Sequence, residues 1–118
     1  MFNCLFLFFL TIYSLSEASE PNVPYVSKGG PQQQLDLYLP SNKGFSTIVF
    51  FHEGSLTSGD KADDGYPGMC ENFRASGIGC VAVNYRLAPE SKWPVQPMDV
   101  AAAVAWVKSN IEARGGNP

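Results

Sequence analysis

A single histidine, His52, and three scattered cysteines leave no run with the spacing of a metal site. Basic residues are also scarce: eight Lys and Arg stand against eleven Asp and Glu, a net charge of -3, which argues against nucleic acid as a partner. No internal repeat or low-complexity tract is present. The apolar run Leu5 to Tyr13 falls short of the ~20 residues that a membrane-spanning helix needs. What remains, 45% hydrophobic and 16% charged residues in 118, is the composition of one globular domain at most.

The N-terminus reads as a secretory signal peptide over Met1 to Ala18. A short apolar core is followed by Ser16-Glu17-Ala18, with small residues at the -3 and -1 positions of a cleavage site. One feature departs from the pattern, since no Lys or Arg precedes the core. The competing reading is a buried strand or an uncleaved anchor. Cleavage leaves residues 19–118 in a secreted or periplasmic compartment, without Cys4 and with no stable membrane span. Two fates stay open there for Cys70 and Cys80. Counting ~1.5 Å per helical residue and ~3.3 Å per strand residue from the turn at Gly77 puts them at similar heights, as a disulfide requires. Two buried free thiols packing as small hydrophobes fit equally.

The stretch Ser46 to Lys61 organises the rest. Thr47-Ile48-Val49-Phe50-Phe51 has the composition of a strand buried on both faces, and it breaks into the small and polar loop His52-Glu53-Gly54-Ser55. A strand delivering such a loop at its C-terminal end is how open α/β sheets build binding sites. Before it, Val23 to Ser27 and the alternating Leu35 to Leu39 predict an antiparallel pair joined by a turn at Lys28-Gly29-Gly30-Pro31. After it, a short helix is expected over Gly68 to Ser76, stopped by Gly77, then a buried strand Gly79 to Asn84. Strand, helix and strand in that order predict a parallel pair with a right-handed crossover.

Tyr85 to Gln96 reads as a long surface connection. A second helix is expected from Pro97, at the first helical position, to Ala113, with Asp99 in the positive first turn. Val100, Val104, Val107 and Ile111 mark its expected buried stripe. An α/β pattern would next require a strand where Asn117-Pro118 stands, and ~100 residues make a poor core for an open sheet. The expectation is the first part of a larger domain.

Several tracts resemble one family. Leu35-Asp36-Leu37-Tyr38-Leu39-Pro40, the loop Phe51-His52-Glu53-Gly54-Ser55-Leu56 with Ser58-Gly59-Asp60-Lys61, and above all Asn84-Tyr85-Arg86-Leu87-Ala88-Pro89-Glu90, followed by Trp93-Pro94 and Asp99, are similar to α/β-hydrolase esterases. The likeness is to secreted carboxylesterases of acetyl-xylan or feruloyl esterase-like type, and it covers nearly all of residues 19–118. The resemblance implies an α/β fold with antiparallel first strands, then parallel strands with flanking helices. It implies acyl transfer to water through a serine, with a small-molecule or carbohydrate-linked ester as substrate and no cofactor or metal. Its His-Gly-Gly-Gly loop maps the oxyanion-hole donors onto the amides of Gly54 and Ser55.

Two residues depart from that loop, Glu53 for the first glycine and Ser55 for the third. A non-glycine residue at positive φ costs ~1 kcal/mol or more, so an altered path is expected. A carboxylate at position 53 must point away from the oxyanion or oppose it. The Ser55 hydroxyl is a candidate additional donor. No G-x-S-x-G elbow occurs in the chain, so nucleophile, acid and base are expected beyond Pro118 and the chain alone is expected to be inactive. His52 is then a structural loop residue, and a local triad of His52, Ser55 and Asp60 is disfavoured. Tyr85, Arg86 and Trp93 either line an acyl pocket or pin the long connection, with pinning favoured, while Pro89 and Asp99 belong to the motif as structural residues. Trp106 reads as core or helix-face packing. The alternatives are an amide or peptide hydrolase of the same fold, or a non-catalytic binding module. Oligomeric state is silent in the sequence.

Overall fold

The computed structural model describes residues 17–118; the expected signal segment up to residue 16, with Cys4, lies outside the described residues. The elements are β1 (Glu20–Pro24), β2 (Gln34–Tyr38), β3 (Thr47–Phe51), α1 (Tyr66–Ala75), β4 (Gly79–Val83) and α2 (Val95–Asn110). Single 3-10 turns at Pro31–Gln33 and Glu112–Arg114 precede β2 and follow α2. The strands form one sheet in the order β1-β2-β4-β3. The β1–β2 and β2–β4 pairs are antiparallel and the β3–β4 pair is parallel, with Phe51 opposite Val83. This is the mixed α/β sheet that the sequence predicts.

Period-2 alternation divides the strands between two cores. Leu35 and Leu37 of β2 and Val81 and Val83 of β4 face α2, where Ala103, Val107 and Ile111 meet them with Tyr25 and Phe45. Tyr38, Cys80 and Ala82 face the other way, against Cys70, Met69 and Phe73 of α1 and Phe50 of β3. Burying each such Leu, Val or Ile contributes roughly 1.5–3 kcal/mol. Cys70 and Cys80 are joined by a disulfide inside that second core, which settles the choice the sequence left open.

Several expected boundaries and faces are corrected. The first strand begins at Glu20 and ends at Pro24, three residues before its expected start and end. As an edge strand it tolerates Pro21 and Pro24, and its ladder is irregular between Glu20 and Val23, where Asn22 has φ 56°. Helix α1 starts at Tyr66 rather than Gly68, and Gly77 stops it in a Schellman motif, the Ile78 and Gly77 amides donating to the Phe73 and Arg74 carbonyls. The strand expected to be buried on both faces, β3, is the open edge of the described sheet, with Ile48 37% exposed. It is β4, paired on both sides, that is buried along its whole length.

Helix α2 starts at Val95, placing Pro97 in the third helical position, where its missing N–H is one the helix leaves unpaired anyway. It ends at Asn110, short of Ala113. Its buried face carries Gln96, Asp99, Ala103 and Val107, while Val104 is exposed. Ala and Val occupy all sides of this helix, so apolar spacing could not choose its face. The choice is made by a charge. Asp99, beyond the first turn and 2% exposed, accepts hydrogen bonds from Arg86 Nε (2.9 Å) and Nη2 (2.7 Å), the Arg86 amide (3.0 Å) and Gln33 Nε2 (3.0 Å).

Burial pushes the Asp99 carboxyl up, but the hydrogen bonds from Arg86 and Gln33 and the guanidinium charge hold it below the ordinary carboxylate value. Its stabilisation is therefore present above the unfolded value near ~3.9 and is lost as pH falls through the folded value. Asp99→Asn is expected to cost about 2 kcal/mol in urea denaturation at neutral pH, less than the ~3–5 kcal/mol of a fully buried broken pair. The reason is that the Arg86 side chain is itself 35% exposed. The deficit relative to wild type should shrink as pH falls below the ordinary carboxylate value and through the lower value of the folded protein; an equal deficit at neutral and acid pH would rule out the ionised pair as its source.

Candidate active site

Two loops leave the sheet side by side because β3 and β4 run parallel and in register. His52 follows Phe51, and Asn84 and Tyr85 follow Val83. The His52 and Tyr85 rings stack, with centroids 4.5 Å apart and planes within 13°. The Tyr85 hydroxyl donates to the His52 carbonyl at 2.7 Å. Burial pushes that phenol's pKa up, so it stays a donor through neutral pH. His52 Nδ1 lies 2.7 Å from the Glu53 carbonyl oxygen. A carbonyl only accepts, so Nδ1 carries the proton and donates.

Beyond Glu53 the backbone folds onto one acceptor. The Gly54 carbonyl receives the Thr57 amide (3.0 Å), the Ser58 amide (3.2 Å), Thr57 Oγ1 (3.0 Å) and Ser58 Oγ (3.3 Å). Ser55 and Leu56, the central residues of this turn, have φ 54° and 63°, the φ pattern of a type I′ turn. Gly54 itself is at φ 126°, and a Cβ there would lie 2.1 Å from the Ser58 carbonyl oxygen. A Cβ on Gly59 would meet His52 Nδ1 at 2.5 Å. Both positions require glycine. Among the described residues, the Gly54 and Ser55 amides donate to no protein acceptor, and both residues line an open cleft of about 560 Å³. The Ser55 hydroxyl is likewise without a hydrogen bond there, unlike its neighbours on Thr57 and Ser58.

The far side of the loop is fastened by Asn84. Its Oδ1 accepts the Lys61 amide at 2.7 Å, and its Nδ2 donates to Asp60 Oδ2 (2.9 Å) and the Pro31 carbonyl (3.1 Å). Burial pushes the Asp60 carboxyl up, but hydrogen bonds from Asn84 and the Ala62 amide, with the Lys61 and His52 charges, hold it below its ordinary value. Lys61 turns inward to Asp36 (3.0 Å) and Asn22 (2.8 Å). The Ala88 amide, just before the cis Ala88–Pro89 bond, donates to the Leu56 carbonyl at 2.9 Å.

Placed against expectation, His52, Tyr85, Arg86 and Asp99 take structural positions, Arg86 pinning the connection to α2 through Asp99. Trp93 does not: it is 72% exposed and neither pins the connection nor lines the cleft. Trp106 packs against the α2-side core with the Arg114 guanidinium 5.1 Å from its ring centroid. His52, Ser55 and Asp60 form no triad, because His52 Nδ1 is bonded to Glu53 and Asp60 to Asn84. Glu53 is exposed and is among the residues that line the cleft. Two site residues escape sequence reasoning. Asn84 is the cross-loop fastener, a role that neither its place at the head of the Asn84 to Glu90 string nor its polarity at the end of a buried strand reveals. Tyr66 lines the cleft with its ring 4.7 Å from Phe50.

The architecture and sequence have known counterparts. Residues 35–116 match the BD-FAE family model. Esterase LipC of Mycobacterium tuberculosis is 32% identical over 91 residues, covering 74% of this chain and 22% of LipC. A truncated form of a carbohydrate esterase from gut microbiota superposes with TM-score 0.74 at 25% identity, over 83% of this chain and 35% of the other. Esterase B from Lactobacillus rhamnosis superposes with TM-score 0.71 at 25% identity, over 82% and 31%. The chain thus spans about a fifth to a third of these three proteins. Since the matched stretch runs from β2 past α2 and takes in both loops of the site, the chain belongs to the BD-FAE family and has the build of an α/β-hydrolase esterase.

Proposed function

We propose that this chain contributes the oxyanion-binding loop of a serine carboxylic-ester hydrolase. The observation that carries the reading is that Gly54 and Ser55 line the cleft and that, among the described residues, their amides donate to no protein acceptor. In a serine hydrolase, attack on the ester carbonyl puts negative charge on its oxygen, and fixed N–H dipoles stabilise that charge without reorganising. The scaffold around the amides suits that role. Tyr85 holds the His52 carbonyl, His52 holds the Glu53 carbonyl, and four donors hold the Gly54 carbonyl. With the backbone carbonyls of His52, Glu53 and Gly54 each holding a donor, the two amides are read as available to a substrate.

The nucleophile, base and acid are read as belonging to sequence beyond Pro118, on the family pattern. One contact supports that placement. The Asn117 amide donates to the Phe45 carbonyl (2.9 Å), whereas the Ser46 carbonyl receives Gly79 from the β4 side (2.9 Å). Successive carbonyls of an extended chain point to opposite sides, so the parallel Phe45–Gly116 bridge runs along the edge of β3 that β4 leaves free. A strand continuing there would lie beside β3 and bring a serine elbow to the same end of the sheet as His52. The buried Cys70–Cys80 disulfide supports a secreted or periplasmic location.

The full-length protein is expected to hydrolyse a chromogenic short-chain ester and to lose that activity to a serine-directed phosphonate; no hydrolysis and no phosphonate labelling would refute the reading. In the active protein, Gly54→Ala keeps the amide but puts a Cβ 2.1 Å from the Ser58 carbonyl oxygen, so the turn must shift; misaiming one oxyanion donor should lower kcat by about 100-fold or more, with unfolding monitored separately. Comparing Ser55→Gly with Ser55→Ala tests the hydroxyl: a donor role predicts that both lose about tenfold in kcat, and unchanged turnover in both would leave the amides alone in that role.

A further inference from the structure

Glu53 stands between His52 and Gly54, and it shares the cleft with Gly54 and Ser55. Its φ lies outside the left-handed region, and its carbonyl is fixed by the His52 Nδ1–H. The chain direction at this position is therefore set by the loop, not by the side chain. The carboxylate is exposed and, among the described residues, takes part in no ion pair and no hydrogen bond. The other charged residues lining the cleft are Asp63 and Asp64, and no lysine or arginine lines it. The two cations closest in the motifs are engaged elsewhere, Lys61 by Asp36 and Arg86 by Asp99.

We propose that Glu53 is a charge-selecting residue of this site, making it discriminate against esters that carry an anionic group and favour neutral and cationic ones. The inference rests on the ester-hydrolase reading above. A substrate carboxylate held ~8 Å from the Glu53 carboxylate, at an effective dielectric between that of bulk water and that of a protein surface, loses about 3- to 30-fold in binding. The oxyanion formed during acyl transfer is repelled as well, but that charge is common to every ester. It cancels from a ratio between two substrates, so the ratio isolates the interaction with the substrate's own charge.

The test compares kcat/KM of the full-length protein for two esters of equal chain length, para-nitrophenyl hexanoate and the mono-para-nitrophenyl ester of adipic acid. Wild type should prefer the neutral ester by about tenfold or more, and added salt should narrow the preference. Glu53→Gln should narrow it by about threefold or more, and Glu53→Lys should narrow it further. A ratio that both variants leave unchanged in an active enzyme overturns the role of Glu53 while leaving ester hydrolysis intact. A protein inactive on both esters and unlabelled by phosphonate overturns the ester-hydrolase reading and this inference with it.

Discussion

Everything at the candidate site depends on the parallel pairing of β3 with β4. That register sets Phe51 opposite Val83, so the residues just past each strand emerge at the same end and at the same height. Tyr85 then lies on His52, Ala88 reaches Leu56, and Asn84 reaches Asp60 and Lys61. A one-residue slip of either strand would turn its side chains to the opposite core and separate these contacts together. β4 is the fixed member of the pair, since it is paired on both sides and buried throughout. The loop after β3 takes its rigidity from this strand.

The polar interior follows the same logic of mutual satisfaction. Asp99 is satisfied by Arg86 and Gln33, Asp36 by Lys61 and Asn22, and Asn84 by partners on two loops. Among the described residues, Thr47 Oγ1 alone is a buried side-chain polar atom without a hydrogen bond. Leaving buried polar groups unpaired costs about 1–3 kcal/mol each, and the fold avoids it almost everywhere. The amides of Gly54 and Ser55, on a half-buried to exposed turn whose own carbonyl collects four donors, lie outside this buried network and donate to no acceptor among the described residues.

The strands and both loops are legible in the sequence because their signals are local. Apolar runs of five residues end in glycine or polar clusters, and the Tyr85 to Glu90 string is distinctive in itself. What the sequence hides depends on contacts far apart along the chain. The buried face of α2 keeps Val107 and Ile111 of the expected stripe but takes Ala103 and Asp99 in place of Val104 and Val100, because apolar residues stand on every side and only the Arg86 guanidinium, 13 residues before Asp99, selects the inward side. Likewise Trp93, an aromatic within a motif, carries no local sign that the connection leaves it in solvent. The burial of β3 is less than its composition suggests, because composition reports what a strand prefers to face, whereas exposure depends on which neighbours are paired with it.

The two departures from the family's glycine loop are the most informative part of the comparison, because the geometry explains why each is tolerated. The first position has an ordinary φ, so a glutamate fits without backbone strain. The second is held at φ 126° with the Ser58 carbonyl where a Cβ would sit, so glycine is obligatory. The third lies in the left-handed region that serine reaches at a cost of roughly 1 kcal/mol. Presenting two amides thus constrains only the middle residue of the loop absolutely. The flanking residues Glu53 and Ser55 also line the cleft, and the backbone geometry leaves their side chains freer to differ than that of Gly54.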